Sequence, residues 1–471
     1  AGRADRAGAR AVAAGAGEKP GRRRSCGGEA QGLNTLGLVR LARKHFFPGF
    51  NPGLDGLADP RRPDMRRYTL RHLVWSGMLM LLSGARSRLQ HMSETLADGF
   101  LENLHRLADC AEDTAAHPDT INYLLTHLHP SELLEFNAGL AGRLLRMRCL
   151  ERYRFGKEWL LAVDGVEVRK YSSEHCKQCL HRTLSNGQVQ YFHAILEAKL
   201  ILANGMVISL GSVPILNPRG KYVKQDCELK AFPRLAAQIK RQFPKLPLCL
   251  LLDSLYGCEP VFRLCRQMGW SHITVLKKGR TPELWKRACT SCARRPQNAR
   301  TLKLRNGTLQ TFRWATGLKH GRETVHAIFC DQTTQAGKTT HWAWTTDHRP
   351  DEHNVHILAN KGGRLRWKIE NEGFNVQKNG GIRLRHDYGS QGHAWYNYYL
   401  LAQIAHLLQQ LCWFGNLISR LSGELFETMK QAFRTLRNFA VRLHAALLTA
   451  TADDPCADFD PAAIQIRFSS A

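Results

Sequence analysis

The stretch "EWLLAVDGVEV", residues 158–168, changes the texture of this chain. Upstream, apolar residues recur at helical spacing. Here they form a short continuous run that ends on Asp164 and Gly165. A run of that length, closed by a turn residue, reads as a buried strand. "LPLCLLLDSLYG" (246–257) repeats the plan and ends on Asp253 and Ser254. Between the two, "YFHAILEAKLILANGMVISLGSVPIL" (191–216) reads as two strands joined at Asn204-Gly205, a strong hairpin signal. "AFPRLAAQIKRQF" (231–243) reads as an amphipathic helix and "SHITVLKKG" (271–279) as a further strand. Strands interleaved with helices predict an α/β core built on a mixed sheet.

Working outward, residues 158–299 form the first part of this core and 300–346 a β-insertion with a second hairpin turn at Asn306-Gly307. In "TLKLRNGTLQTFRW" the apolar parity slips from Leu309 to Phe312 and Trp314, which predicts a bulge or a strand covered on both faces. Residues 355–450 read as helical, and so do residues 33–150. "PSELLEFNAGLAGRLLRM" (130–147) offers Ser131 as N-cap, with Leu133, Leu134, Leu140, Leu144 and Met147 on one stripe. The arginines of "DPRRPDMRRYTLRH" (59–72) read as a solvated face, with phosphate contact as the alternative. Residues 1–32 read as a disordered basic tail and 451–471 as a second tail.

Lys plus Arg number 67 against 40 for Asp plus Glu, a net charge of +27. The tail 1–32 carries seven bases and three acids, so the remainder keeps 27 − 4 = +23. Such a balance points to a polyanion, most simply nucleic acid. The run "LVWSGMLMLL" (73–82) is too short to span a bilayer, and residues 398–418 are interrupted by Gln403, His406, Gln409 and Gln410 as a core helix would be. With no secretory pattern, the 14 cysteines read as mostly reduced thiols of a cytoplasmic protein.

Asp164 and Asp253 each stand at the C-terminal end of an apolar strand, the edge where open α/β sheets gather ligands. Two carboxylates converging there repel unless a cation or proton intervenes. A hard divalent ion with oxygen ligands, Mg²⁺ or Mn²⁺, suits that chemistry. An Asp at a strand end also serves as a turn former or N-cap, and that reading stays open. A third acid lies in "RLRWKIENEGFNVQKNGG" (364–381). There Arg366, Glu370, Phe374 and Lys378 are spaced four apart, on one side of a helix that Asn379-Gly380-Gly381 ends. Such spacing serves solvated ion pairs as readily as a metal ligand flanked by phosphate-gripping arms.

"RLRWKIENEGFN" resembles the third-acid helix of bacterial insertion-sequence DDE transposases, in the subgroup with a β-insertion before the final Glu. The Arg-x-x-x-Glu spacing matches at Arg366 and Glu370, and Asp164 and Asp253 are similar to the first two acids. "KQDCELKAFPRLAAQIKRQFPKLPLCLLLDSLYGCEPVF" is similar to the middle of such proteins, and the likeness spans roughly residues 33–445. Two positions depart: Gly363 stands where the family has Tyr, and Gln377 where it has Lys, with Lys378 one later.

The resemblance implies an RNase H-like fold and two-metal phosphoryl transfer that cuts transposon ends and joins them to target DNA. Asp164 would bridge two Mg²⁺ or Mn²⁺ ions, while Asp253 and Glu370 would hold one each; Glu372 is a weaker third acid. Arg366 and Lys378 are the expected DNA-binding residues, and the helical residues 33–150 the expected N-terminal DNA-binding region. The expected partners are transposon and target DNA and a second copy of the chain, in a bacterial cytoplasm at the nucleoid, with no membrane. The expected role of Trp314, Trp342 and Trp344 is core packing rather than base stacking. Cys176-x-x-Cys179 is half a zinc site, with His181, His193 or Cys289/Cys292 available to close it; reduced thiols are the expectation. Two other functions stay in view: a catalytically inactive or repurposed DNA-binding protein, and a nuclease that never joins strands.

Overall fold

The computed structural model describes residues 35–217, 225–386, 388–422, 425–450, 461 and 465–468. The tail read at 1–32 lies outside them. Among the described residues, ten strands form one sheet: β1 (Trp159–Tyr171), β2 (Leu180–Thr183), β3 (Val189–Ile201), β4 (Val207–Ile215), β5 (Leu248–Leu252), β6 (Ser271–Val275), β7 (Ala299–Lys303), β8 (Leu309–His320), β9 (Glu323–Thr333) and β10 (Thr339–Thr346). Their order is β2-β3-β1-β5-β6-β10-β9-β8-β7, and β4 also pairs with β3. β1, β5 and β6 run parallel; β3 lies antiparallel to β1, and β10 to β6. The chain is thus α/β on a mixed open sheet.

The local sequence accounts for the turns. Gly205 sits at φ +103°, where a side chain is disfavoured, and Asn204 Oδ1 accepts from Met206 N at 3.1 Å. β3 and β4 therefore meet as a hairpin, paired from Ile201↔Val207 to Ala194↔Ile215 with a register shift between Ala198 and Lys199. Gly307, at φ +74°, makes the matching turn between β7 and β8. The parity slip there has a different cause from a bulge beside Leu309. β7 and β8 pair without a break from Leu309 to Arg313, and the irregularity lies between Ala315 and Leu318. Leu309 faces out at 44% exposure while Gln310, Phe312 and Trp314 face in. Gln310 is satisfied inside by Gln332 and Asn360, at 2.8 and 3.2 Å.

Helix Glu228–Gln242 leads from β4 toward β5, and helix Glu259–Met268 joins β5 to β6, so the parallel strands are linked by helical crossovers. On the other side, helix Ala394–Phe414 is buried from Ala394 through Cys412. Its glutamines are structural. Gln410 accepts from Val207 N at 2.7 Å and donates to Val207 O at 2.9 Å, standing in for a missing neighbour at the edge of β4. Around this helix pack Thr35–Phe46, Leu70–Leu82, Pro118–His127 and Pro130–Arg146.

The last of these starts earlier than Ser131. Pro130 takes the first helical position, and His129 is the N-cap, its Nδ1 accepting from Ser131 N at 3.4 Å. Of the arginines of 59–72, Arg62, Arg66 and Arg67 are exposed, as a solvated face requires, and Arg61 is buried. Arg61 forks onto Asp59 and donates to Tyr68 O, Arg66 donates to Arg61 O, and Arg71 pairs with Asp55 and donates to Asp109 O. Within 451–471, Phe468 stacks on Phe46 at 5.5 Å and bridges to Gly415. Among the described residues, no helix is long and apolar enough to cross a membrane.

Candidate carboxylate site at the sheet edge

β1 and β5 pair in parallel with Ala162 opposite Leu251. Two residues further on each chain stand Asp164 and Asp253, so the register sets these acids side by side where β5 ends. Asp253 occupies the N-cap position of the turn Ser254–Tyr256, yet its side chain makes no capping hydrogen bond. The N-cap role left open by the sequence is therefore not taken up.

Asp164 Oδ1 accepts from Gly165 N at 3.0 Å, and Oδ2 meets Arg366 Nη1 at 3.3 Å. Arg366 is almost fully buried, so this ion pair is poorly screened. Burial still dominates: it pushes the Asp164 carboxyl up to about 6, Arg366 opposes it, and the charges of Glu228 and Glu370 add to it. Glu370 lies on the segment Ile369–Asn375 packed against β1, and its charge is the smallest of these influences on Asp164; Glu372 turns instead to Lys368, at 3.5 Å. Lys378 Nζ stands 3.9 Å from Glu370.

The helical segment 355–379 departs from the regular helix expected of it. It runs as wide π turns at Leu358–Gly362 and Ile369–Asn375, a tight 3₁₀ stretch at Gly363–Trp367, and a last α-turn at Val376–Asn379. Close approach explains the glycines. A Cβ on Gly363 would fall 2.4 Å from Trp344 Nε1, and one on Gly362 2.6 Å from Ile273. No tyrosine fits at 363 while Trp344 fills that space. Gln377 points into the core, donating to Gln403 Oε1 at 2.8 Å, so the neighbouring Lys378 is the one that reaches Glu370.

A fourth acid joins the edge. Glu228, in the first turn of its helix, accepts from the Tyr256 hydroxyl at 2.8 Å. A Cβ on Gly165 would come within 2.4 Å of Glu228 Oε1, so the glycine after Asp164 makes room for it. Burial raises the Glu228 carboxyl, and Asp253 raises it further, while Tyr256 opposes both. The Tyr256 hydroxyl is itself raised, by burial and then by Glu228, Asp164 and Asp253. Nothing in the sequence distinguished Glu228 from an ordinary acid favoured by a helix N-terminus.

The edge thus holds Asp164, Asp253, Glu228 and Glu370 against Arg366 and Lys378, an excess of negative charge with oxygen donors only. That donor set fits a hard divalent cation. Groups of three or four ligands whose donor atoms all lie within 4.8 Å of one another occur elsewhere among the described residues, and the edge carboxylates do not form one. Two ions about 3.5–4 Å apart would not require all their ligands to fall within one such group. Of the tryptophans, Trp314 and Trp344 are buried, and half-buried Trp342 lies under the Arg364 guanidinium at 4.1 Å. No protein-family model matches the chain, and no curated protein matches it.

Proposed function

We propose that this chain is a DNA transposase of the DDE type, an RNase H-like enzyme that cuts element ends and joins them to target DNA. The observations that support the reading are the parallel register that sets Asp164 beside Asp253 and the packing of the Glu370 segment on β1, in a chain with net charge +27. The antiparallel meander β4-β3-β1, continued by parallel β5 and β6, supports the RNase H-like reading.

Asp164, Asp253 and Glu370, with Glu228 beside them, would hold Mg²⁺ or Mn²⁺. Bound there, such ions activate water or a 3′-hydroxyl and neutralise the leaving oxygen. The side chains do the rest. Arg366, anchored on Asp164, orients that carboxylate and offers its remaining donors to a flanking phosphate. Lys378 sets Glu370 and adds positive charge at the rim. Tyr256 holds Glu228 by its hydroxyl. Cytoplasmic location and pairing of two copies on two DNA ends belong to the same proposal.

Nicking of supercoiled plasmid by the purified chain, with Mg²⁺ or Mn²⁺ against EDTA, tests it. The parent is expected to nick only with the metal, and Asp253→Asn to lose on the order of 10²–10³-fold in rate, as when one charge-stabilising group is removed. An Asp253→Asn chain that cuts like the parent contradicts the assignment. DNA binding without metal-dependent nicking in the parent favours the repurposed DNA-binding protein.

A further inference from the structure

Away from the carboxylate edge, a second cluster is built of sulfur and nitrogen. Cys176 and Cys179 lie on the turn between β1 and β2, and His193 lies on β3. Sγ of Cys176 is 3.4 Å from Sγ of Cys179, and the two sulfurs are 3.2 and 3.3 Å from His193 Nε2. Cys179 and His193 are each 1% exposed. Zinc bonds of ~2.3 Å to sulfur and ~2.0–2.1 Å to nitrogen at tetrahedral angles place ligand atoms roughly 3.5–3.8 Å apart. The three atoms therefore need to open by only a few tenths of an ångström to admit an ion.

The surroundings hold this arrangement in place. Cys179 N donates to Cys176 O at 3.0 Å, folding the pair into a tight knuckle. The His193 ring stacks on Trp395 at 4.5 Å and meets Tyr171 edge-on at 5.5 Å, which holds the ring's orientation. On the open side His175 stacks on Tyr171 at 4.3 Å, its ring centre 6.1 Å from that of His193. Cys289 and Cys292 are not part of the cluster; they lie on helix Pro282–Arg294.

We propose that Cys176, Cys179 and His193 bind a structural zinc ion, with His175 turning in as the fourth ligand. The consequence reaches the carboxylate edge. Asn217 N donates to Gln178 O at 3.0 Å within the knuckle. Gln225 accepts from His181 N at 2.7 Å and donates to His181 O at 2.9 Å. Gln225 lies just before the helix that carries Glu228. The ion fastens the β1–β2 connection to β3, against which the Glu228 segment is tied.

The test is metal content of the full chain purified under reducing conditions from zinc-supplemented medium, together with the absorption spectrum of the cobalt-substituted protein. About one zinc per chain and an intense thiolate-to-cobalt charge-transfer band are expected. The Cys176→Ser/Cys179→Ser double variant is expected to retain no zinc, and His175→Ala to bind it more weakly by at least about 10–100-fold, the loss seen when even a residue that only supports a ligand is removed. The cobalt spectrum is read on the parent chain, so it stands even if the double variant fails to fold. A parent without zinc or the charge-transfer band overturns the proposal, as does a Cys176–Cys179 disulfide by mass, or zinc that survives in a folded double variant. Asp253→Asn is expected to keep its zinc, which separates this ion from those at the carboxylate edge.

Discussion

Asp164 sits where burial and neighbouring charge compete. Its carboxyl titrates near 6 in the folded chain, because burial and the acids Glu228 and Glu370 outweigh Arg366. Unfolded, it titrates near 3.9. A folded-state value raised above the unfolded one means the native chain keeps its proton longer. The cost is absent below pH ~4, grows as pH rises through the window from ~4 to ~6, and is complete above it. Two units correspond to about 2–3 kcal/mol. In metal-free buffer with EDTA, Asp164→Asn is therefore expected to gain stability relative to the parent as pH goes from 4.5 to 7.5, by up to that amount. Urea midpoints at the two values check it, and a constant difference between the chains contradicts it. Three of the acids were legible because each ends an apolar run or falls in a recognisable charged segment. Glu228 was not, because its role depends on Gly165 and Tyr256, which come near it only in the fold.

At the scale of elements, the turn bearing Glu370 rests on a buried charged pair. Lys199 and Glu197 lie on β3, 3.4 Å apart and each no more than 1% exposed. Lys199 also donates to Gln403, and its stem lies 3.3 Å from where a Gly373 Cβ would be. Glu197 accepts from Ser212 and, at 2.8 Å, from Tyr399. Removing one partner leaves the other charge buried alone, so Glu197→Ala is expected to cost about 3–5 kcal/mol. Replacing both, as Glu197→Leu with Lys199→Met, is expected to recover most of that. Urea unfolding of the three variants reads the difference; a single variant costing under about 1 kcal/mol contradicts the pinning role. The hairpins at Asn204-Gly205 and Asn306-Gly307 were legible because their turn chemistry is local. The π and 3₁₀ turns of 355–379 were not. The spacing of Arg366, Glu370, Phe374 and Lys378 describes an ideal helix, whereas Trp344, Ile273 and Lys199 press on its glycines from distant strands.

At the scale of the molecule, the α/β class was readable from interleaved apolar runs and amphipathic stretches. That β10 pairs with β6, carrying β7–β10 onto the same sheet, was not, since strand partners are a tertiary property. The sheet is also what unites the site: β1 supplies Asp164, the end of β5 supplies Asp253, and the irregular segment packed on β1 supplies Glu370. Crystals of the chain soaked in Mn²⁺ and measured for anomalous scattering test this convergence most directly. The expected result is two manganese peaks about 3.5–4 Å apart, with Asp164 touching both and Asp253 and Glu370 each touching one. Manganese bound elsewhere, or no manganese at Asp164, would contradict the account.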